Sequence, residues 1–130
     1  MSTEIDEIFD MLSWDNDEKI QQQGIEKAKK IKNLSVLFQP IESKSIWENC
    51  AKVLISKEDQ ELNLYLISMF QWLQDMNWPG AELIYERLKR MPMHYIKTAY
   101  TICLSKADCT GDVTWKKILI NFWNDPSNNS

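Results

Sequence analysis

Residues 72–81 read WLQDMNWPGA, and this stretch decides how the helices on either side of it meet. Proline is favoured at the first position of a helix, so Pro79 predicts a helix start. The residue before a proline is biased towards an extended conformation, which places Trp78 in a turn. Asp75 and Asn77 can accept hydrogen bonds from free backbone N–H groups at that helix start. We therefore predict a rigid helix–helix corner made by Trp72, Asp75, Asn77, Trp78, Pro79 and Gly80.

Apolar residues recur at helical spacing on both sides of this corner. Residues 60–74 are apolar around nearly the whole helix, which predicts a central helix covered on several sides, with Asp59 as its cap. Further upstream, Ser45 and Glu48 have the spacing of a capping box and predict a helix that runs to about Ile55.

The whole pattern predicts an all-α protein with about seven helices and no strand. Two helix starts recur after 34 residues, from Ser45 to Pro79 and from Asp59 to about Met93. Helical-hairpin solenoids have periods in this range. The first architecture is therefore a HEAT-like α-solenoid of stacked helical hairpins, and the alternative is a compact helical bundle.

Length and composition indicate one globular domain. A chain of 130 residues has the commonest domain size, and its 44% apolar and 26% charged residues are ordinary for such a domain. We expect a single helical domain over residues 1–125 and a frayed polar tail over residues 126–130.

The net charge of −4 is distributed in blocks. Residues 1–18 carry seven acidic groups and no basic one, and residues 58–86 have a net charge of −6. Residues 19–57 and 87–130 are net positive. Nucleic-acid binding depends on neutralising phosphates with lysine and arginine, so we expect no nucleic-acid partner.

The residues that catalysis or metal binding would need are scarce. His94 is the only histidine, and the three cysteines have no CxxC spacing. We predict no catalytic residue, no metal and no cofactor, and hence a protein that is not an enzyme. A site formed only in three dimensions, with His94 beside a carboxylate and either Cys103 or Cys109, stays open as an alternative.

The cysteine usage fits a reducing compartment, and no apolar run approaches the length of a membrane span. The acidic, amphipathic N-terminal segment differs from the basic and apolar regions of a signal peptide. We expect a cytoplasmic protein that does not enter a membrane.

The corner sequence, together with WENCAKVL at residues 47–54, resembles a family of small, uncharacterised, all-helical bacterial proteins with a W-L-x-D-x-N-W-P-x-A signature. The resemblance covers mainly residues 45–91. It implies a HEAT-like helical fold and no particular activity. Small helical proteins of this kind also resemble, as a class, the immunity proteins that accompany bacterial toxins.

We expect a non-enzymatic protein-binding module, most concretely an immunity protein that blocks a basic toxin domain as a monomer or weak dimer. Acidic residues would steer the partner, and a tryptophan would anchor it. The alternative is a HEAT-like adaptor for a cellular protein. The residues expected to contact the partner are Asp59, Glu61, Asp75, Asn77, Trp78, Glu82 and Glu86.

Overall fold

The computed structural model describes residues 3–125, and within them the chain is all-α, as predicted. The expected tail, 126–130, lies outside the described residues. Three short 3₁₀ helices, at Leu34–Leu37, Ile41–Ile46 and Asn63–Tyr65, connect the α-helices. The α-helices are α1 (Thr3–Met11), α2 (Glu18–Ala28), α3 (Trp47–Ile55), the single turn α4 (Asp59–Leu62), α5 (Leu66–Trp72), α6 (Ala81–Lys89), α7 (Met93–Thr110) and α8 (Val113–Asn124).

The helices pack as a series of neighbours that shares one core. Helix α1 contacts α2, α2 contacts α3, and α3 packs on α6. Helix α5 lies against both α6 and α7, and α7 contacts α8. One of these contacts, α3 on α6, joins helices related by the spacing seen in the sequence. Helices α3 and α6 begin at Trp47 and Ala81, 34 residues apart, and α4 and α7 begin at Asp59 and Met93, again 34 residues apart.

The segment expected to form one central helix is broken. It begins with the turn α4, continues as a 3₁₀ helix through Tyr65, and becomes α-helical again in α5. Leu64, in the middle of the break, is 83% exposed. The cap is Glu58 rather than Asp59, because Glu58 and Glu61 form a reciprocal capping box.

The capping box predicted at Ser45 is wrong. Ser45 lies in the 3₁₀ helix that precedes α3, and α3 begins at Trp47 with no side-chain cap. The backbone carbonyl of Ser45 instead accepts a hydrogen bond from the Trp14 amide at 3.0 Å. A contact distant in sequence therefore sets the geometry of this helix entry.

The first two helices are tied to the rest of the protein by a buried amide. Asn49 on α3 is only 4% exposed, and its Nδ2 donates to the Leu12 carbonyl at 2.7 Å and to Gln21 Oε1 at 2.9 Å. Helices α1 and α2 also approach closely, since a Cβ added at Gly24 would lie 2.8 Å from the Met11 Cβ. Gly24 allows this approach because it has no Cβ.

Aromatic donors fix the last helices to the centre. Trp115 on α8 donates from Nε1 to the Phe70 carbonyl on α5 at 3.0 Å. The Tyr100 hydroxyl on α7 donates to the Leu119 carbonyl at 2.8 Å. Buried donors paired in this way lock the orientation of their helices, because leaving them unpaired would be costly. Helix α5, which leads into the corner with α6, is thus fixed against α8.

Candidate functional site

The corner between α5 and α6 is a tight turn closed by a tryptophan. Trp72, at the end of α5, donates from Nε1 to the Pro79 carbonyl at 2.9 Å. Asp75 accepts from the Asn77 amide through its carboxylate at 2.9 Å, and its own carbonyl accepts from the Trp78 amide at 3.0 Å. Asx turns of this kind are a common way to reverse the chain. All six residues expected at the corner lie in or beside this turn.

The predicted helix start at Pro79 is wrong by two residues. Helix α6 begins at Ala81, and Gly80 is its N-cap in the left-handed conformation, with φ of 82°. A Cβ added at Gly80 would lie 2.7 Å from the Ala51 Cβ and 3.2 Å from the Trp47 carbonyl oxygen. The position therefore needs glycine for its backbone conformation and for the close approach to α3.

Aromatic rings meet edge to face at this corner. The ring of Trp47 on α3 lies 5.5 Å from that of Trp72 and 5.3 Å from that of Trp78, at interplanar angles of 65° and 86°. Phe38 meets Trp72 at 5.8 Å. Such arrangements are favoured by the ring quadrupoles. Trp47 and Trp72 are buried, whereas Trp78 stays half-exposed at the edge of the cluster.

Trp78 lines two grooves, one on each side of its ring. The first, which we call the amide groove, encloses about 290 Å³ and carries no charged side chain. The second, the acidic groove, encloses about 280 Å³. The amide groove is lined by Phe38, Gln39, Pro40, Ile41, Trp47, Ser68, Gln71, Trp72, Gln74 and Trp78, and the acidic groove by Glu48, Met76, Asn77, Trp78, Pro79, Gly80, Glu82 and Leu83.

Two carboxylates flank Trp78 in the acidic groove. Glu82 was expected from the sequence, and Glu48 was not. Both are exposed, and neither makes an ion pair within residues 3–125. Glu86 is exposed one turn further along α6. Glu48 comes from α3, which the sequence could not place beside the corner.

Two of the other expected acidic residues, Asp59 and Glu61, lie apart from this groove. Asp59 accepts from Arg87 Nη2 at 2.6 Å, and Arg87 also donates to the Lys57 carbonyl at 2.9 Å. Glu61 serves the capping box with Glu58. Asp59 therefore lines a separate, mixed-charge groove with Lys57, Arg87 and Arg90. The acidic residues do not form one continuous face, because Asp59 is paired with Arg87 in a groove that shares no lining residue with the acidic groove.

His94 and the cysteines are dispersed. His94 is exposed against the ring of Tyr95, and the groove it lines contains no carboxylate and no cysteine. Burial raises the pKa of the Cys50 thiol to about 12 and that of Cys103 to about 11, which keeps both thiols protonated at neutral pH. Cys109 is exposed.

Within residues 3–125, no group of three or more histidine, cysteine, aspartate or glutamate side chains is arranged to hold a metal ion. None of the helices in this part of the chain has the length and apolar character needed to cross a membrane.

Residues 44–130 match a family described as "Domain of unknown function (DUF5071)", and the chain belongs to this family. The match contains the whole stretch 45–91 that carried the resemblance in the sequence, and it extends further through α7 and α8. It includes Trp47, Trp72 and Trp78, which line the two corner grooves, but it leaves out α1 and α2. No curated protein and no solved structure matches the chain.

Proposed function

We propose that this DUF5071 chain is a non-enzymatic protein-binding module whose partner docks over the corner between α5 and α6. The observation that carries the proposal is the position of Trp78, whose ring forms a wall of both the amide groove and the acidic groove. A half-exposed tryptophan between two depressions can give a partner one large apolar contact with polar groups around it. Interfaces draw most of their binding energy from such anchors.

The charges around Trp78 favour a basic partner. Glu48 and Glu82 line the acidic groove, Glu86 follows on α6, and neither groove is lined by a lysine or an arginine. Opposite charge on an approaching protein would speed association, and a like charge would be repelled. The partner surface would therefore carry lysine and arginine around an apolar recess.

The most concrete form of this proposal is an immunity protein that neutralises a bacterial toxin domain. A toxin that acts on nucleic acid needs a basic surface to bind phosphates. A protein that covers this surface with carboxylates and an aromatic anchor would block the toxin without any chemistry. This role places the chain in the bacterial cytoplasm, where its free cysteines would stay reduced.

We further propose a HEAT-like arrangement for residues 47–110. The support is the 34-residue spacing of the helix starts together with the packing of α3 on α6 and of α5 on α7. In such a stack each hairpin contributes equivalent helices to two layers. The binding corner would then be the turn between the two hairpins, which explains why its geometry is so constrained.

The test is capture of a partner from the native cells followed by toxicity rescue. The tagged chain should recover a basic protein whose expression alone stops growth, and co-expression of the chain should restore growth. Glu82→Lys should lose both effects. The matched control is Glu18→Lys, which reverses another exposed glutamate in the first turn of a helix. Recovery of a housekeeping protein without toxicity would replace the immunity role with that of an adaptor.

A further inference from the structure

Another groove outside the corner lies between α1 and the end of α2. It encloses about 630 Å³. Its floor is apolar and is formed by Ile5, Ile8, Met11 and Ile31. Ile8 is buried, but the other three side chains are only half-buried. A surface that covered them would gain the free energy of removing apolar area from water.

The two rims of this groove carry charges of opposite sign. Glu4 and Glu7 stand on α1, whereas Lys27, Lys30 and Lys32 belong to the end of α2 and the residues that follow it. All five side chains are exposed, and none takes part in an ion pair within residues 3–125. The rims are therefore available to charges on another molecule.

We propose that a second copy of this chain covers the groove, and that the two copies pair about a two-fold axis through the apolar floor. A half-turn about this axis exchanges the rims, so the carboxylates of each copy face the lysines of the other. A two-fold interface must be complementary to itself, and a patch with one acidic and one basic rim meets that condition. A rim of a single sign would instead face its own charge.

The helices fit this arrangement. Helix α1 has nine residues and is about 13 Å long, so it can lie parallel to its copy and over the partner's groove. Four short helices would then share one apolar seam, as in a helix bundle. Each copy brings two carboxylates and three ammonium groups, so the net charge of −4 on the whole chain does not oppose contact at this face.

This interface is independent of the proposed function. The groove lies within residues 4–33, whereas the family match covers residues 44–130 and includes Trp78. A dimer formed through α1 and α2 leaves the corner open, so each copy could still bind a partner. Failure of one proposal does not affect the other.

The test is sedimentation velocity of the full chain from about 1 to about 300 μM, the range in which small interfaces associate. We expect a monomer at the low end and a dimer at the high end. Raising the salt from about 0.05 to about 0.5 M should weaken the dimer at least about fivefold, because screening removes the attraction between the rims. A monomer at every concentration would overturn the proposal.

Charge reversal tests the two-fold geometry. Glu4→Lys/Glu7→Lys makes both rims basic, and Lys27→Glu/Lys30→Glu makes both acidic, so each variant alone should be monomeric. An equimolar mixture of the two should form a heterodimer. Glu18→Lys/Lys52→Glu reverses one exposed charge of each sign outside the groove and should dimerise like the wild type. Variants that still dimerise alone, or a mixture that stays monomeric, would contradict this interface.

Discussion

Trp47 and Trp78 meet edge to face with ring centroids 5.3 Å apart, and this contact joins helix α3 to the turn before α6. The Trp47 ring is buried and is fixed by a hydrogen bond from its Nε1 to the Pro40 carbonyl at 3.1 Å. Trp78 rests on this fixed ring and remains half-exposed. A side chain that is already held in place loses little conformational entropy on binding. The contact with Trp47 should therefore lower the entropic cost of binding a partner through Trp78.

Replacing Gly80 should destabilise the protein strongly. Gly80→Ala would place a Cβ 2.7 Å from that of Ala51, in a backbone conformation with φ of 82° that alanine rarely adopts. We expect a loss of about 3 kcal/mol or more in the free energy of unfolding, measured by urea denaturation. Gly111→Ala is the matched control, because Gly111 also has positive φ but nothing lies within 4 Å of its added Cβ. It should cost only about 1 kcal/mol.

Removing the amide of Asn49 should loosen α1 and α2. Asn49→Ala leaves the Leu12 carbonyl without its buried donor, which should lower the free energy of unfolding by about 2 kcal/mol. Hydrogen exchange should also become faster in α1 and α2. The control is Asn63→Ala, whose exposed side chain makes no hydrogen bond within the described residues and should change stability by less than about 0.5 kcal/mol. Equal effects of the two substitutions would contradict this role.

The three thiols should differ in reactivity. Cys109 is exposed, whereas burial raises the pKa values of Cys50 and Cys103 and hides both sulfur atoms. Iodoacetamide at pH 8 should modify Cys109 on the order of 100-fold faster than the other two, which react only through opening of the fold. Peptide mass spectrometry measures each rate. Equally fast modification of Cys50 would show that α3 is not buried as described.

Stability should fall above pH 10, in part because of Tyr85. Burial, followed by the nearby Asp125 carboxylate, raises the pKa of Tyr85 from 10.0 to about 12. Between these values the unfolded chain releases the phenol proton while the folded chain keeps it, so rising pH favours unfolding. The stability that depends on neutral Tyr85 is thus fully present below pH 10 and is lost as the pH rises to about 12.

Tyr85→Phe isolates this contribution. The variant should show a smaller fall in the free energy of unfolding between pH 9 and pH 11.5, measured by urea denaturation at each pH. Some fall should remain, because the pKa values of Cys50 and Tyr100 are raised by burial as well. An unchanged fall in the variant would mean that Tyr85 ionises equally easily in both states.

The all-α class and the position of the corner between two helices could be predicted from the sequence, because both depend on short-range patterns. Apolar periodicity marks helices, and a proline–glycine pair between two apolar runs marks a break. The 34-residue spacing was also visible, and it persists because α3 and α6 each begin two residues later than predicted.

The predictions that were wrong concern features that depend on contacts between residues distant in the sequence. The Ser45 capping box had the right local spacing, but the Ser45 carbonyl is bound by Trp14, 31 residues earlier. The pairing of Asp59 with Arg87 and the placement of Glu48 beside Trp78 likewise arise from the packing of α3 and α4 against α6. No pattern in a single sequence shows which helices become neighbours. The separation of Asp59 from Glu82 into two different grooves could therefore not be predicted.

The most direct test of the central claim compares three tagged chains in parallel captures from the native cells. They are the wild type, Trp78→Ala, and Trp14→Ala, which removes a tryptophan 55% exposed outside the two corner grooves. Circular dichroism first establishes that each variant is folded. We predict that a basic protein is recovered with the wild type and with Trp14→Ala but is lost with Trp78→Ala. Recovery of the same partner by a folded Trp78→Ala chain would contradict binding at this corner.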